Sequence, residues 1–350
     1  MSKGPGSGVV DRPYAGSVKV ASSAIVEGRA QMGEGALLAQ GAVIRSSGIG
    51  VEIGTGSAVL ENSVVVGTTD IPVVVGRRST FGHRCLVVGA TVGDLCEIGN
   101  ASILMPGARL GDRVFLGEGT LVPAGAVLPS DVVAVGRPAG VIRTVSAGDL
   151  DRLRGLRDGD LSIPAATSIP VEPTTEADTM GQLYAYRGIV PTIAPSAVLF
   201  PTAEITGDVV VGERTIIGAG VKIIGDSHGP VRIGNHVQIL ENTVLHLLPD
   251  NELIIDDGVI VGPGAMIHGC HIGARSVIEP GAIVCDGSVV GNGCVVRAGA
   301  VVKQRARFSD GIEIDGFPGV GVGSIALPGV PPWALPIDDL PVRTRGGSPQ

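Results

Sequence analysis

Apolar residues recur at every sixth position along much of this chain. One run places them at Ile205, Val211, Ile217 and Ile223. A period of six matches neither the 3.6-residue turn of an α-helix nor the two-residue alternation of a strand. It indicates a coil with flat sides about six residues long. Each side points one apolar side chain at the axis and ends in a tight turn.

Three such sides make a coil of about 18 residues, and successive coils hydrogen-bond to one another as parallel strands. The predicted fold class is therefore all-β, with parallel β-helix solenoids built from six-residue repeats. Aromatic residues make up only 3% of the chain, and glycine supplies 55 of its 350 residues. That composition suits a thin aliphatic core with many turns. The period itself does not fix the hand of the coil.

The chain contains this solenoid twice. An offset of 180 residues aligns Gly54 with Gly234 and Gly119 with Gly299, and no gap is needed over about 70 residues. Such agreement indicates tandem duplication of a whole domain. The predicted domains are a first β-helix over residues 1–160, a linker over 161–180, a second β-helix over 181–323 and a Pro-rich tail over 324–350, either docked or disordered.

The segment before the linker predicts a short amphipathic helix that closes the first domain. Its apolar residues fall at Leu150, Leu153 and Leu156, at helical spacing. The linker that follows is rich in Pro, Thr and acidic residues and has no period. We therefore expect it to be exposed.

Charge and composition exclude several classes of partner. The net charge is -8 and no basic run is present, which argues against nucleic acid or an anionic membrane surface. No window reaches the roughly 18 apolar residues that a membrane span needs, and the first residues lack the apolar core of a signal peptide. Five irregularly spaced cysteines suggest no disulfide framework. A cytoplasmic protein acting on a small molecule is expected, with Cys85 and Cys294 buried in the core.

Two of the six histidines are predicted to share one corner of the second solenoid. His246 and His268 each follow an inward apolar residue and lie 22 residues apart, one coil plus a short excess. Stacked coils are about 4.8 Å apart, so both imidazoles can reach a common point outside the coil, as a metal site requires. Three other histidines are interpreted as solvated surface groups: His228, His236 and His271.

The two copies carry complementary histidines. When the copies are aligned at the 180-residue offset, His246 and His268 align with Val66 and Val88. His83 of the first copy aligns with a proline of the second. Each of the three positions therefore has histidine in one copy and an apolar residue in the other. A complete three-histidine set requires a first domain together with a second.

The second copy resembles the γ-class carbonic anhydrase family. The resemblance lies in the phrases GDVVVGERTIIGAG, GPVRIGNHVQILENTVLH and GAMIHGCHIG, and in GAVIRS of the first copy. It implies a left-handed β-helix, three of which pack side by side with a divalent metal between neighbours. Two metal-binding histidines come from one subunit and the middle one in sequence from the next. The resemblance thus implies a homo-oligomer.

The resemblance also implies which residues of this chain form the site, since each matches one position of the family's motifs. It implies that His83, His246 and His268 bind the metal, by default Zn²⁺, with Fe²⁺ or Co²⁺ as alternatives. It implies that Arg45 and Asp226 are catalytic and form an ion pair across the domains, with Arg45 anchoring an anionic product or substrate. The family's glutamine near the metal-bound water is replaced by two leucines, Leu60 and Leu240.

The resulting prediction is a γ-carbonic-anhydrase-like metalloenzyme that acts through a metal-bound water. Its reaction is the hydration of CO₂ to bicarbonate, or a diverged metal-assisted hydrolysis or lyase reaction on a small carboxylate metabolite. Two alternatives are an acyltransferase of the hexapeptide type using acyl-CoA and a noncatalytic β-helix scaffold. The sequence leaves open whether the three-histidine site forms within one chain or between chains.

Overall fold

The structure is a computed structural model that describes residues 17–174, 181–226 and 228–336. The first 16 residues, part of the predicted linker and the end of the predicted tail lie outside the described residues. Almost all regular structure is short parallel strands, as the six-residue period predicts. No helix within the described ranges is long and apolar enough to span a bilayer.

The first domain and its linker form strands β1–β21. In chain order these are Lys19–Val20, Ile25–Glu27, Ala30–Met32, Leu37–Leu38, Val43–Ser46, Val51–Ile53, Ala58–Val59, Val64–Gly67, Val73–Val75, Thr80–Phe81, Leu86–Val88, Thr91–Val92, Glu97–Ile98, Ile103–Leu104, Arg109–Leu110, Phe115–Leu116, Leu121–Val122, Val127–Leu128, Val132–Val135, Gly140–Thr144 and Ile169–Val171. Helix α1, Ala147–Gly155, lies between β20 and β21.

The second domain forms strands β22–β43. In chain order these are Gln182–Tyr184, Thr192–Ile193, Val198–Leu199, Glu204–Gly207, Val209–Val211, Ile216–Ile217, Lys222–Gly225, Val231–Ile233, Gln238–Ile239, Val244–Leu245, Leu253–Ile255, Ile260–Val261, Met266–Ile267, His271–Ile272, Val277–Ile278, Ile283–Val284, Val289–Val290, Val295–Val296, Val301–Val302, Arg307–Phe308, Ile312–Gly316 and Gly319–Ser324.

Each domain has three sheets, one for each side of the coil. In the first domain, sheet A runs from β1 through β4 and β7 to β19 and β20, sheet B holds β2, β5, β8, β11, β14 and β17, and sheet C holds the third strand of each coil. In the second domain the equivalent sheets begin at β24 (sheet A), β22 (sheet B) and β23 (sheet C). Among the strands of the described residues, neighbours pair in parallel except where β20, β21 and β43 add antiparallel partners.

The core of each domain is a column of inward aliphatic side chains, as predicted. Ile205, Ile217 and Ile223 are fully buried in the second column, and Ile44 and Leu104 in the first. Each buried side chain of this size stabilises the fold by about 1.5–3 kcal/mol relative to an exposed one. Because the columns contain small or branched residues, the coils remain narrow.

Small polar residues at the inward corners link one coil to the next. Ser63 Oγ donates to the carbonyl of Gly82 at 2.9 Å and accepts from the backbone N–H of Cys85 at 3.0 Å. Ser79 makes the same pair of contacts with Gly93 and Cys96. These hydroxyls satisfy backbone groups that the turns leave without a strand partner.

The predicted helix is confirmed as α1. Ser146 caps it, and Asp149 completes a reciprocal capping box with the Ser146 backbone. Leu153 is buried, whereas Leu156 is exposed. The predicted linker is mostly exposed, but it is not structureless, since β21 adds an antiparallel strand to β3 of the first domain.

The two domains pack through different sheets. Outward residues of first-domain sheet B meet outward residues of second-domain sheet A in a buried apolar cluster that includes Val64, Leu86, Ile216 and Ile260. Trp333, in the predicted tail, is buried in the same cluster. The described part of the tail is therefore docked between the domains.

The cysteines give a prediction of chemical reactivity. Burial raises the pKa of the Cys85 and Cys96 thiols to about 12 and also raises that of Cys270. At pH 8 a thiol with a pKa near 12 is ionised to about one part in 10⁴, so it reacts slowly with thiol reagents. We expect Cys285, the one half-buried cysteine, to be labelled first by iodoacetamide in the native protein. Peptide mapping by mass spectrometry checks this, and prior labelling of Cys85 or Cys96 would contradict it.

Candidate metal centre

His246 and His268 lie one above the other at a corner of the second domain, as predicted. They follow the neighbouring strands β31 and β34 of sheet B, in which Leu245 pairs with Ile267. The ring centroids are 6.2 Å apart and the rings are nearly perpendicular, at 81°. Both side chains are half-buried. The strand register therefore brings the two imidazoles to one place.

Asp226 and His228 reach the same corner from the preceding coil. They lie on the loop after β28, and the His228 ring meets the His246 ring edge to face at 5.5 Å. Ligand atoms of Asp226, His228 and His246 all lie within 4.8 Å of one another. The interpretation of His228 as a solvated surface group is therefore wrong, because its ring is half-buried against His246.

A second carboxylate lies beside His268. Asp286 Oδ2 is 3.5 Å from His268 Nδ1, and its Oδ1 accepts hydrogen bonds from the Leu248 backbone and the Asn251 amide. These bonds fix the orientation of the Asp286 carboxylate. A carboxylate held in this way beside a histidine orients the ring and favours one tautomer.

His83 is not part of this cluster within one chain. Its side chain is 54% exposed, and Nδ1 lies 2.8 Å from Glu61 Oε2 in the first domain. Among the described residues, no group of metal-binding size includes His83. The sheet that the first domain presents to the second is sheet B, which carries Val66 and Val88.

The interface between the two domains of one chain therefore contains the first-domain corner that is equivalent to the corner with His246 and His268, and this first-domain corner is apolar. A Cβ atom added at Gly264, next to the proline that aligns with His83, would lie 2.7 Å from Leu86 Cδ2. One added at Gly281 would lie 2.7 Å from Ile103 Cδ1. Side chains pack tightly here, and Val66 and Val88 bury apolar surface where the second copy has histidines.

The predicted Arg45–Asp226 ion pair is wrong. Arg45 is buried at the domain interface, with its Nε 2.5 Å from Glu241 Oε1 and an Nη donating to the Trp333 carbonyl at 2.6 Å. Asp226 instead accepts from the His228 backbone N–H at 2.9 Å. Arg45 pairs in strand register with Val66, on the apolar side of the duplication. It therefore joins the two domains through Glu241 and Trp333, which are not members of the histidine cluster.

The two leucines that replace the family's glutamine have different surroundings. Leu240 is fully buried in the cluster between the domains. Leu60 is half-buried at a corner of the first domain, one coil before His83, and its backbone N–H donates to the Phe81 carbonyl. Neither side chain offers a hydrogen bond to a water near a metal.

Comparison with known protein families identifies the repeat that builds the two solenoids. Residues 269–304 match the family model described as bacterial transferase hexapeptide (six repeats), and residues 72–106 match the hexapeptide repeat of succinyl-transferase. The chain is thus a hexapeptide-repeat protein, a left-handed parallel β-helix. Within that class it is similar to curated proteins named carbonic anhydrase and carnitine operon protein CaiE.

Two curated relatives are informative. A protein named carbonic anhydrase from Geobacillus kaustophilus (strain HTA426) is 43% identical over 104 residues, which are 30% of this chain and 57% of that protein. Carnitine operon protein CaiE from Escherichia coli O157:H7 is 32% identical over 103 residues, 29% of this chain and 52% of that protein. The chain spans about half the length of the curated relatives it matches.

Solved structures share the repeat. A hexapeptide transferase family protein from Anaplasma phagocytophilum is 25% identical, with a TM-score of 0.39, and the match covers 41% of this chain and 85% of that one. Perosamine N-acetyltransferase from Caulobacter crescentus is 21% identical, with a TM-score of 0.29, and covers 61% of this chain and 86% of that one. TM-scores this low do not bear on function.

Proposed function

We propose that this chain is a metal-dependent enzyme of the carbonic anhydrase type, which hydrates CO₂ at the histidine corner of the second domain. The observation that carries the proposal is the stacking of His246 and His268 on adjacent strands. The first copy holds Val66 and Val88 at the same two positions. A structural role common to both copies would not separate the two residue types in this way.

The side chains present at the corner suit a divalent transition metal. Imidazole nitrogens are ligands that Zn²⁺, Fe²⁺ and Co²⁺ accept, and the His246 and His268 rings lie 6.2 Å apart between centroids. His246 and His268 would hold the cation, and Asp286 would orient His268. When bound, such a cation supplies Lewis acidity that makes water nucleophilic near neutral pH.

The surroundings of the corner favour a small apolar substrate. Ile224, Val244 and Met266 point outward from sheet B beside the histidines and are half-buried. Ile224 replaces the arginine of the first copy, and the nearby Lys222 is paired with Glu204. Because this wall presents no free cation among the described residues, it suits CO₂ better than a carboxylate metabolite.

The third histidine of the proposed set, His83, has to come from a second copy of the chain. Within one chain His83 pairs with Glu61, and the sheet carrying Val66 and Val88 occupies the domain interface. The face with His246 and His268 is left uncovered by the other domain. We therefore propose a homo-oligomer in which the first domain of one chain meets the second domain of another.

The direct test is turnover by the purified full chain loaded with Zn²⁺. We expect one metal ion per chain, measured by elemental analysis, and CO₂ hydration above the buffer rate in a stopped-flow pH-indicator assay. Acetyl-CoA with small amine acceptors is expected to stay unconsumed, which separates this function from acyl transfer. Bound metal without hydration, in associated chains, would refute the enzymatic proposal and favour a scaffold.

Mixing of inactive variants gives a prediction for the origin of His83. His83→Ala and His246→Ala chains are each expected to be inactive, and co-expression in equal amounts should restore activity. In a symmetric pair of chains, half of the pairs are mixed and one of their two sites is intact, so about a quarter of wild-type activity should return. A mixture as inactive as its components would mean that the second copy does not donate His83.

A further inference from the structure

Two nitrogens at the histidine corner are buried without a hydrogen-bond partner. His228 Nδ1 lies 3.0 Å from Asp226 Oδ1 and His268 Nδ1 lies 3.5 Å from Asp286 Oδ2, yet neither nitrogen forms a hydrogen bond. A buried polar atom left unpaired costs about 1–3 kcal/mol, and such atoms in native proteins usually have a partner. His228 Nδ1 and the Asp226 carboxylate beside it are therefore available together as ligands, whereas His268 Nδ1 lies on the side of the ring that Asp286 orients.

The first copy provides an internal comparison. Its equivalent loop, residues 46–50, reads SSGIG and has neither histidine nor carboxylate, and the next two coils carry Val66 and Val88. The second copy has Asp226 and His228 on the loop and histidine on both coils. The ligand-type side chains are thus present together in one copy and missing together from the other. This pattern indicates that they act as one unit.

The separation of the atoms fits a metal after a small adjustment. Tetrahedral zinc ligands at about 2.1 Å from the ion lie about 3.4 Å from one another. The ligand atoms of Asp226, His228 and His246 lie within 4.8 Å, so the cluster has to close by at most about 1.4 Å. Rotation of an imidazole about its side-chain bonds moves its nitrogens by comparable distances.

The ligand type selects the class of cation. Two imidazole nitrogens and one carboxylate oxygen suit Zn²⁺, Co²⁺ or Fe²⁺, whereas Mg²⁺ and Ca²⁺ prefer sites made of oxygen atoms. Neither His236, which is exposed, nor His271, which lies 2.8 Å from Asp256, belongs to the cluster. The corner is therefore a defined site among the histidines of this domain.

We propose that Asp226, His228 and His246 hold a divalent transition-metal cation within a single chain. This inference rests on the proposed function in that it places the metal at the same corner. It differs in two ligands, because within the single chain Asp226 and His228 take the places that His268 and the His83 of a second copy have in the proposed function. The second domain then carries its metal before assembly, and association adds a ligand to a loaded site.

The test is a Co²⁺ titration of the chelator-stripped full chain, followed by visible absorption. The protein is kept dilute enough for sedimentation to show single chains. His228→Asn is compared with His236→Asn, an exposed histidine of the same domain whose φ of 55° asparagine tolerates. We expect one Co²⁺ per wild-type chain, roughly 10- to 100-fold weaker binding in His228→Asn, and wild-type binding in the control.

Other outcomes separate this inference from the proposed function. If His228→Asn binds Co²⁺ like the wild type while His246→Ala does not, the cation is held without His228, and only the inference is overturned. Binding seen only in associated chains overturns it in the same way. A wild-type chain that binds no Co²⁺ in any state overturns both. Thermal unfolding of each variant shows whether the fold is intact.

Discussion

His246→Ala is expected to lose the bound metal and to slow CO₂ hydration at least about 10³-fold. His246 is the central residue of the corner, since its ring contacts His228 on one side and His268 on the other. Without the His246 imidazole, His228 and His268 no longer have the ring between them that would contribute a nitrogen to the metal. Elemental analysis and stopped-flow hydration assays on the same preparation measure both effects.

The matched control for this variant is His271→Ala. His271 is half-buried in the same domain, but it lies on sheet C and pairs with Asp256. It should retain its metal and hydrate CO₂ within about twofold of the wild-type rate, because its ring does not face the corner. If His246→Ala kept both metal and rate, the corner would not be the active site.

The fold could be predicted from the sequence because the six-residue period ties each residue to a place on the coil. Ile217 and Ile223 are buried as their spacing requires, and Ser63 fills a small inward corner. The same register put His246 above His268, which strand pairing confirms. A periodic solenoid contacts only its own neighbouring coils, so local pattern determines most of its structure.

The remaining parts of the site depend on contacts that the period does not encode. Two acidic residues, Asp226 and Glu241, could form an ion pair with Arg45. Which of them does so depends on which sheets of the two domains pack against each other, and the structure pairs Arg45 with Glu241. His228 lies on a loop that lengthens its coil from 18 to 22 residues, as the pairing of Lys222 with Val244 shows. Its residues follow no period, so no face could be assigned to them. A comparison of the loop with SSGIG of the first copy is the signal that could have identified it.

The domain interface contains the buried ion pair whose loss should destabilise the protein most. Arg45→Ala is expected to lower the free energy of unfolding by about 3–5 kcal/mol, because Glu241, with a side chain only 1% exposed, is left as an unpaired buried charge. The Trp333 carbonyl loses its donor at the same time. Chemical denaturation followed by circular dichroism measures the change. Because this interface joins the two domains, we also expect their unfolding to separate into two transitions.

Two further variants test whether the burial of Glu241 causes the loss of stability expected in Arg45→Ala. Arg29 forms an ion pair with Glu172 in which both side chains are mostly exposed, so Arg29→Ala should change the unfolding free energy by less than about 1 kcal/mol. The double variant Arg45→Met with Glu241→Leu should recover most of the loss, since it removes both charges while keeping apolar volume at the interface. An Arg45→Ala variant as stable as Arg29→Ala would mean that Glu241 reaches solvent. The contribution of the pair to holding the two domains together would then be small.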